Sequence, residues 1–366
     1  MLSFVHYEAR QKSPVPLKGG DDCSGAYLFL PKGPAKPVEL SNNYAVVVGP
    51  LMSKVVVRSE KSVHLDHTAI VYAGVPYLHL KNILNIANQH NFELAMRLKT
   101  SLNNGNLFFT DLNGYQMIKR RRFSKLPLQS HFYPMPTVAF IEDEITRVSL
   151  LTAQPLGFSS LESGWMEVML DRRLDQDDNR GLGEVRFTAV LDNIATTNEF
   201  RLLVEPLNRH TEMPWSLFTT GYPSMTSHYA SLSLNYPIII MHGNRSKEYA
   251  SSFVGLRSPV PCDIHMVTLR TLSAPTIYND KLSRKKHFSR PSQALILHRF
   301  VVDCRSYVHM NMKCTSGGNF NLSSLPLNNI INVTESSLTL LFDGKQLKDG
   351  ISIEPMDLLT VKLDFS

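Results

Sequence analysis

ELAMRLKTSL, residues Glu93–Leu102, decides the fold. Glu, Leu, Ala and Met are good helix formers, so propensity by itself favours a helix. Yet Leu94, Met96, Leu98 and Leu102 share one side of a period-two pattern, with Glu93, Arg97 and Lys99 on the other. Alternation of that kind belongs to a strand, and the pattern outweighs the propensity.

The same period runs outward in both directions. The opening residues Leu2, Phe4 and His6 alternate with Ser3, Val5 and Tyr7. VAFIEDEITRVSLLT (138–152) reads as a hairpin, two apolar runs around an acidic turn at 142–144. GWMEVML, EFRLLVEP, CDIHMVTLRTL and ALILHRFVV are further strands, and LLTVKLDFS puts Leu359, Val361, Leu363 and Phe365 on one face. Turn signals punctuate them at NNGN (103–106), LNGY (112–115) and FDGK (342–345). Helices are few; LHLKNILNIANQ (78–89) is the best candidate. Many short strands at close spacing imply an all-β chain of antiparallel sandwiches. A stretch richer in Ser, Thr and Pro, from about Leu207 to Val260, divides it into a large region 1–255 and a smaller distal β domain 256–366.

At 366 residues and 43% apolar content, the chain has material for more than one real core. Its net charge of +6 is thinly spread, with dense basic runs only at KRRRFSK (119–125) and RKKH (284–287). Neither carries a nucleic-acid motif, so both read as solvated faces and no nucleic-acid partner is expected. No stretch reaches the roughly 18 apolar residues of a membrane helix, and MLSFVHYEARQK has no signal-peptide core.

Four cysteines exclude a cysteine-dense scaffold. Cys304 and Cys314, close in sequence, are expected to bridge a local hairpin in an oxidising compartment. Three glycosylation acceptors, at Asn244, Asn321 and Asn332, lean the same lumenal way.

The densest charge cluster is MLDRRLDQDDNRGLGE (169–184). Asp175, Asp177 and Asn179 have the spacing of a calcium loop, but Arg180 and Arg186 stand where that loop needs Gly and Glu. Its aspartates lie too close in sequence to flank a scissile glycosidic bond. An ion-pair network in which Asp171, Arg172, Arg173 and the aspartates satisfy one another fits the mixed signs better. HLDHT offers His64, Asp66 and His67, short of the three ligands plus open position of catalytic zinc. No metal site and no self-contained active site emerge.

Several blocks together resemble the C-terminal half of the class II α-mannosidases, glycoside hydrolase family 38. They are SGAYLFLPKGPAKP (24–37), FFTDLNGYQMIKRRRFSKLPLQSHFYPMPTVAFIEDE (108–144), LLTAQPLGFSSLESG (150–164) and VMLDRRLDQDDNRGLGE (168–184). PCDIHMVTLRTL and ALILHRFVVDC look like the Golgi members that trim N-glycans. The resemblance implies a galactose-mutarotase-like super-sandwich with a smaller C-terminal β domain. It also implies mannose-containing N-glycans as ligand, the Golgi lumen or membrane as location, and zinc as cofactor of the complete enzyme. The family's zinc-binding His-x-Asp-Pro-Gly motif, nucleophile and acid/base have no counterpart here, so the chain is expected to bind no zinc itself. Its partner would be an N-terminal catalytic domain, and a homodimer is compatible. By the same resemblance Tyr27 and Arg180 reach bound sugar, with Asp177, Asp178, Gly181 and Gly183 supporting the loop. A packed strand aromatic for Tyr27, and an internal ion-pair role for Arg180, stand beside that expectation. A non-catalytic carbohydrate-binding or scaffold module is the alternative for the whole chain. The chain departs from the family at Cys23 in GGDDCSG, and at EVRFTAVLDN, where residues are inserted after Gly183.

Overall fold

The computed structural model describes residues 1–12, 23–178, 192–208, 220–243, 260–272, 292–306, 312–321, 330–348 and 350–365. Two compact units divide the chain. The first holds Met1–Ile239 and Val302–Val308; the second holds Ile240–Val301 and His309–Ser366. The division therefore falls before the Ser/Thr/Pro-rich stretch ends, and a short segment returns to the first unit.

The first unit opens with β1 (Leu2–Glu8), β2 (Lys36–Pro37), β3 (Asn43–Val47), β4 (Met52–Ser59) and β5 (His64–Tyr72). Next come β6 (Tyr77–Asn85), β7 (Phe92–Lys99), β8 (Leu107–Leu112), β9 (Gln116–Arg121) and β10 (Tyr133–Met135). It continues with β11 (Val138–Glu142), β12 (Thr146–Thr152), β13 (Leu156–Ser159), β14 (Trp165–Arg173), β15 (Thr196–Pro206) and β16 (Thr220–Gly221). The helix α1 (Met225–Asn235) follows.

A six-stranded sheet, β10-β13-β14-β7-β1-β2, packs on a ten-stranded one, β16-β9-β8-β11-β12-β15-β6-β5-β4-β3, and the pairings in both are antiparallel. Between them lies the main core, where Phe4, Leu94, Met96, Leu98 and Val168 meet Leu80, Leu84, Ile141, Leu150 and Phe200. On the far side of the ten-stranded sheet, α1 sets Ala230 and Leu234 against Phe109, Met117 and Phe140. Outside the six-stranded sheet, Phe29, Ala35, Leu128 and Phe132 cover Val5, Tyr7 and Ala95. So β7 is buried on both faces, which is why one of its two glutamate-and-arginine positions on the "polar" side, Glu93, is fully enclosed. The LNGY turn forms as expected: Asn113 (φ 52°) and Gly114 (φ 75°) both take the left-handed torsions of a tight hairpin between β8 and β9.

The second unit contains β17 (Ile264–Thr271), β18 (Ser292–Arg299), β19 (Asn319–Phe320), β20 (Ile330–Ser336), β21 (Asp343–Gln346), β22 (Ile351–Ser352) and β23 (Leu358–Phe365). A five-stranded sheet, β17-β18-β23-β20-β21, buries Leu295, Leu297, Val361 and Leu363 with Ile351 and Ile353.

Three expectations are corrected. The helix foreseen at 78–89 is strand β6: Leu78, Leu80, Asn82 and Leu84 alternate toward the core while β5 and β15 pair on either side. The described helix α1 lies instead in the Ser/Thr-rich stretch, capped by the Ser224 hydroxyl on the Ser227 amide. At FDGK, Asp343–Gln346 is edge strand β21, and the chain turns earlier, at Leu340 (φ 62°). The disulfide joins Cys262 to Cys314, not Cys304 to Cys314. The Cys262 amide bonds the Lys313 carbonyl at 2.9 Å, and this backbone bond holds the two cysteines with their Cα atoms 4.5 Å apart. Cys304 belongs to the segment 302–308 of the first unit and stays an exposed free thiol.

Candidate sugar-facing loop of the first unit

Two segments 150 residues apart in sequence meet at the end of β14. The chain leaving that strand (174–178) lies against the Ser24–Leu30 block. The Tyr27 amide donates to Asp178 Oδ2 at 2.9 Å. Gln176 Nε2 donates to the carbonyls of Arg10 (2.5 Å) and Ser24 (2.9 Å). Cys23 Sγ approaches the Asp177 carbonyl at 3.7 Å. Gly25 is needed at this junction because a Cβ there would sit 2.3 Å from Cβ of Asp178. The consequence is a tyrosine held by its backbone and left 59% exposed as a residue. Among the described residues the Tyr27 side chain is exposed, not packed. Asp178 is only 9% exposed, while Arg180, Gly181 and Gly183 lie outside the described residues.

The charge cluster is held differently from the self-satisfying network expected of it. Arg172 Nη2 donates to Glu93 of β7 at 2.5 Å and to the Leu28 carbonyl at 2.8 Å. Arg173 Nε caps the Gln89 carbonyl. Asp175 accepts from His90 at 3.0 Å and from Asn91 at 3.4 Å, and Asp171 takes the Arg172 amide and Asn193. The partners come from neighbouring strands and loops, so the cluster ties its segment to the sheet. Burial raises the Glu93 carboxyl to about 7, against the pull of Arg172. It likewise raises Asp171. The Glu93–Arg172 pair is a support of this loop that sequence spacing does not show; Glu93 stands opposite Arg172 on the neighbouring strand, which only the register reveals.

On β5 the His67 ring is buried and bonds Asn82 at 2.7 Å, while Asp66 pairs with Arg58 at 2.9 Å and His64 lies 3.7 Å from Glu60. Among the described residues the one group of three ligand types within reach is Cys262, Asp263 and Cys314. Both its thiols are joined in the disulfide, and Asp263 accepts from Thr315 and Arg299. Neither set fits zinc. Asn321 and Asn332 are exposed, and Asn244 lies outside the described residues.

The first unit is thus a two-sheet antiparallel sandwich with Tyr27 displayed on the loop beside the end of β14. Residues 2–180 match the glycosyl hydrolases family 38 C-terminal domain. The chain is 39% identical to rat Alpha-mannosidase 2 over 93% of its own length and 30% of the rat protein's. It is 48% identical to the fruit-fly (Drosophila melanogaster) Alpha-mannosidase 2 over 61% of its length and 19% of the fly protein's. An Enterococcus faecalis α-mannosidase structure superposes over the whole chain, 38% of its own, with TM-score 0.61 at 10% identity, which bears on the fold alone. The chain belongs to glycoside hydrolase family 38 and spans about 30% of the length of the curated relatives it matches.

Proposed function

We propose that this chain serves as the β-sandwich part of an α-mannosidase, forming one wall of a pocket for α-linked mannose in N-glycans. The observation that carries it is the exposed Tyr27 ring, fixed from behind by Asp178 and Gly25 in the very block that matches the family. A phenol so placed offers an O–H donor and acceptor to sugar hydroxyls, and Arg180, by the family resemblance, would offer a fork of donors to the same sugar.

The hydrolysis we assign to the whole enzyme retains configuration through two carboxyl groups about 5 Å apart. We place the reacting carboxylates and the zinc in the further portion of the relatives, since this chain spans about 30% of their length. A lumenal Golgi setting is supported by the Cys262–Cys314 disulfide and by exposed acceptors at Asn321 and Asn332.

The test uses a protein joining this chain to a family 38 catalytic portion. Tyr27→Phe and Arg180→Met should each raise KM for an α-mannoside, while the 366-residue chain alone, given zinc, should release no product. Turnover by the isolated chain would overturn the assignment, and so would KM values unmoved by either variant.

A further inference from the structure

At the other end of β7 from Glu93, the outer face of the six-stranded sheet is not fully covered. There the 122–131 segment and the Leu161–Trp165 turn leave a cavity of about 460 Å³, within the ~300–1,000 Å³ of small-ligand sites. Its floor is charged and buried. Arg97 Nε bonds Glu167 at 2.5 Å, the Tyr7 hydroxyl bonds the same carboxylate, and the Arg97 side chain is 12% exposed. Trp165 stands beside it, with Arg97 over the ring at 4.6 Å and Lys99 at 3.8 Å.

Three groups on the walls have bonding capacity that the protein does not use. Arg122 donates to the Leu161 carbonyl and pairs with no carboxylate among the described residues. His131 is 4% exposed, yet its Nδ1 has no hydrogen-bond partner. Glu162, at the solvated rim, is a carboxylate with no cationic partner among the described residues. The walls therefore hold an unneutralised guanidinium together with unmet acceptor capacity, flanked by the apolar sides of Leu128 and Leu161.

A bare organic acid would satisfy the guanidinium and leave Glu162 and His131 unmet. A neutral sugar would serve those two and leave the guanidinium uncompensated. A sugar that bears a carboxylate meets both: its carboxylate takes the planar fork of Arg122, its hydroxyls donate to the acceptors, and its C–H faces pack on the apolar walls. We propose that this pocket binds a single sugar unit carrying a carboxylate, such as a hexuronate. The assignment does not depend on mannoside hydrolysis.

Calorimetric titration of the 366-residue chain with glucuronate, methyl glucoside and phenylacetate tests it. Saturable binding is expected for glucuronate, at least about tenfold tighter than for either other compound. Arg122→Gln should weaken it about ten- to a hundredfold, and Ser124→Trp, which fills the mouth, should abolish it, with both variants folded by circular dichroism. If either variant unfolds, the wild-type chain still decides: glucuronate should shift the His131 imidazole resonances and methyl glucoside should not. No saturable glucuronate binding, equal binding of phenylacetate, undiminished affinity in the folded variants, or unmoved His131 resonances would each overturn the proposal.

Discussion

The Tyr27 amide and the Asp178 carboxylate are joined by a 2.9 Å hydrogen bond across 151 positions of sequence. Almost everything that displays the Tyr27 ring follows from that bond. The amide is satisfied, the loop cannot swing away, and Gly25 is small enough to let the aspartate in.

Gly25→Ala should therefore be costly. Its Cβ would lie 2.3–2.4 Å from three atoms of Asp178, one of them the aspartate's own Cβ, which no rotamer change can move. Overpacking of this kind costs about 1–3 kcal/mol. Gly33→Ala, in the same block but with nothing within 4 Å, is the control and should stay within about 0.5 kcal/mol of wild type. Chemical denaturation of the two variants side by side measures the difference; equal midpoints would mean the junction is not close-packed.

Glu93 should make the first unit's stability depend on pH. Burial lifts its carboxyl from 4.5 to about 7, and its second oxygen has no hydrogen-bond partner. Between pH 4.5 and 7 the folded chain keeps a proton on Glu93 that the unfolded chain has released. Stability from this group is thus full below pH 4.5, falls as pH rises through that window, and levels off above it, by on the order of 3 kcal/mol. Glu93→Gln carries a permanent amide and should flatten that part of the profile, as urea titrations at pH 5 and pH 7.5 would show. An unchanged slope in the variant would assign the dependence to other groups.

How far this was legible in the sequence depends on how local each cause is. ELAMRLKTSL declares its strand because alternation is a property of neighbours, and the Asn113–Gly114 turn because left-handed torsions favour those residues. Leu78–Gln89 misled because Leu80, Ile83 and Leu84 also fit a helical stripe, and only pairing with β5 and β15 decides between the two. Asp343-Gly344 resembles a turn, yet it pairs with β20 as an edge. Family resemblance implies that Tyr27 and Arg180 reach one sugar, with Asp178 supporting Arg180; that Asp178 bonds the Tyr27 amide and packs on Gly25 is visible only in three dimensions. The covering of the outer face of β7, which turns Glu93 and Arg97 from a solvent face into buried ion pairs, leaves no mark on the strand's own pattern.

The cysteines illustrate the same limit and yield a direct measurement. Sequence proximity favoured Cys304 with Cys314, whereas Cys262, 52 residues away from Cys314, is the partner. Peptide mapping without reduction should recover a Cys262–Cys314 fragment and an alkylatable Cys304. Cys314→Ser should lower stability by about 2–4 kcal/mol, since it frees a long loop in the unfolded chain. Cys304→Ser, at an exposed thiol, should change it little.

The segment 302–308 returns to the first unit through a buried charge lattice, and breaking that lattice should be the most damaging single change there. Arg147 is 1% exposed; its Nη2 contacts Asp303 at 2.5 Å and Glu142 at 2.6 Å, and its guanidinium lies 4.0 Å from the Phe140 ring centroid. Arg305 bridges the same two acids at 2.7 and 3.0 Å. Burial pushes the Asp303 carboxyl up, but hydrogen bonds from Arg305 and the charge of Arg147 outweigh it and hold it below the usual range. Two cations and two anions balance, so no member is left uncompensated. Asp303→Asn removes one negative charge and strands a buried guanidinium, at about 3–5 kcal/mol. Replacing Arg147 and Asp303 together with apolar residues of similar volume should cost less than that single change, because no lone charge remains. If denaturant midpoints show Asp303→Asn to be nearly neutral, water reaches the lattice and the return segment is held by its backbone bonds instead.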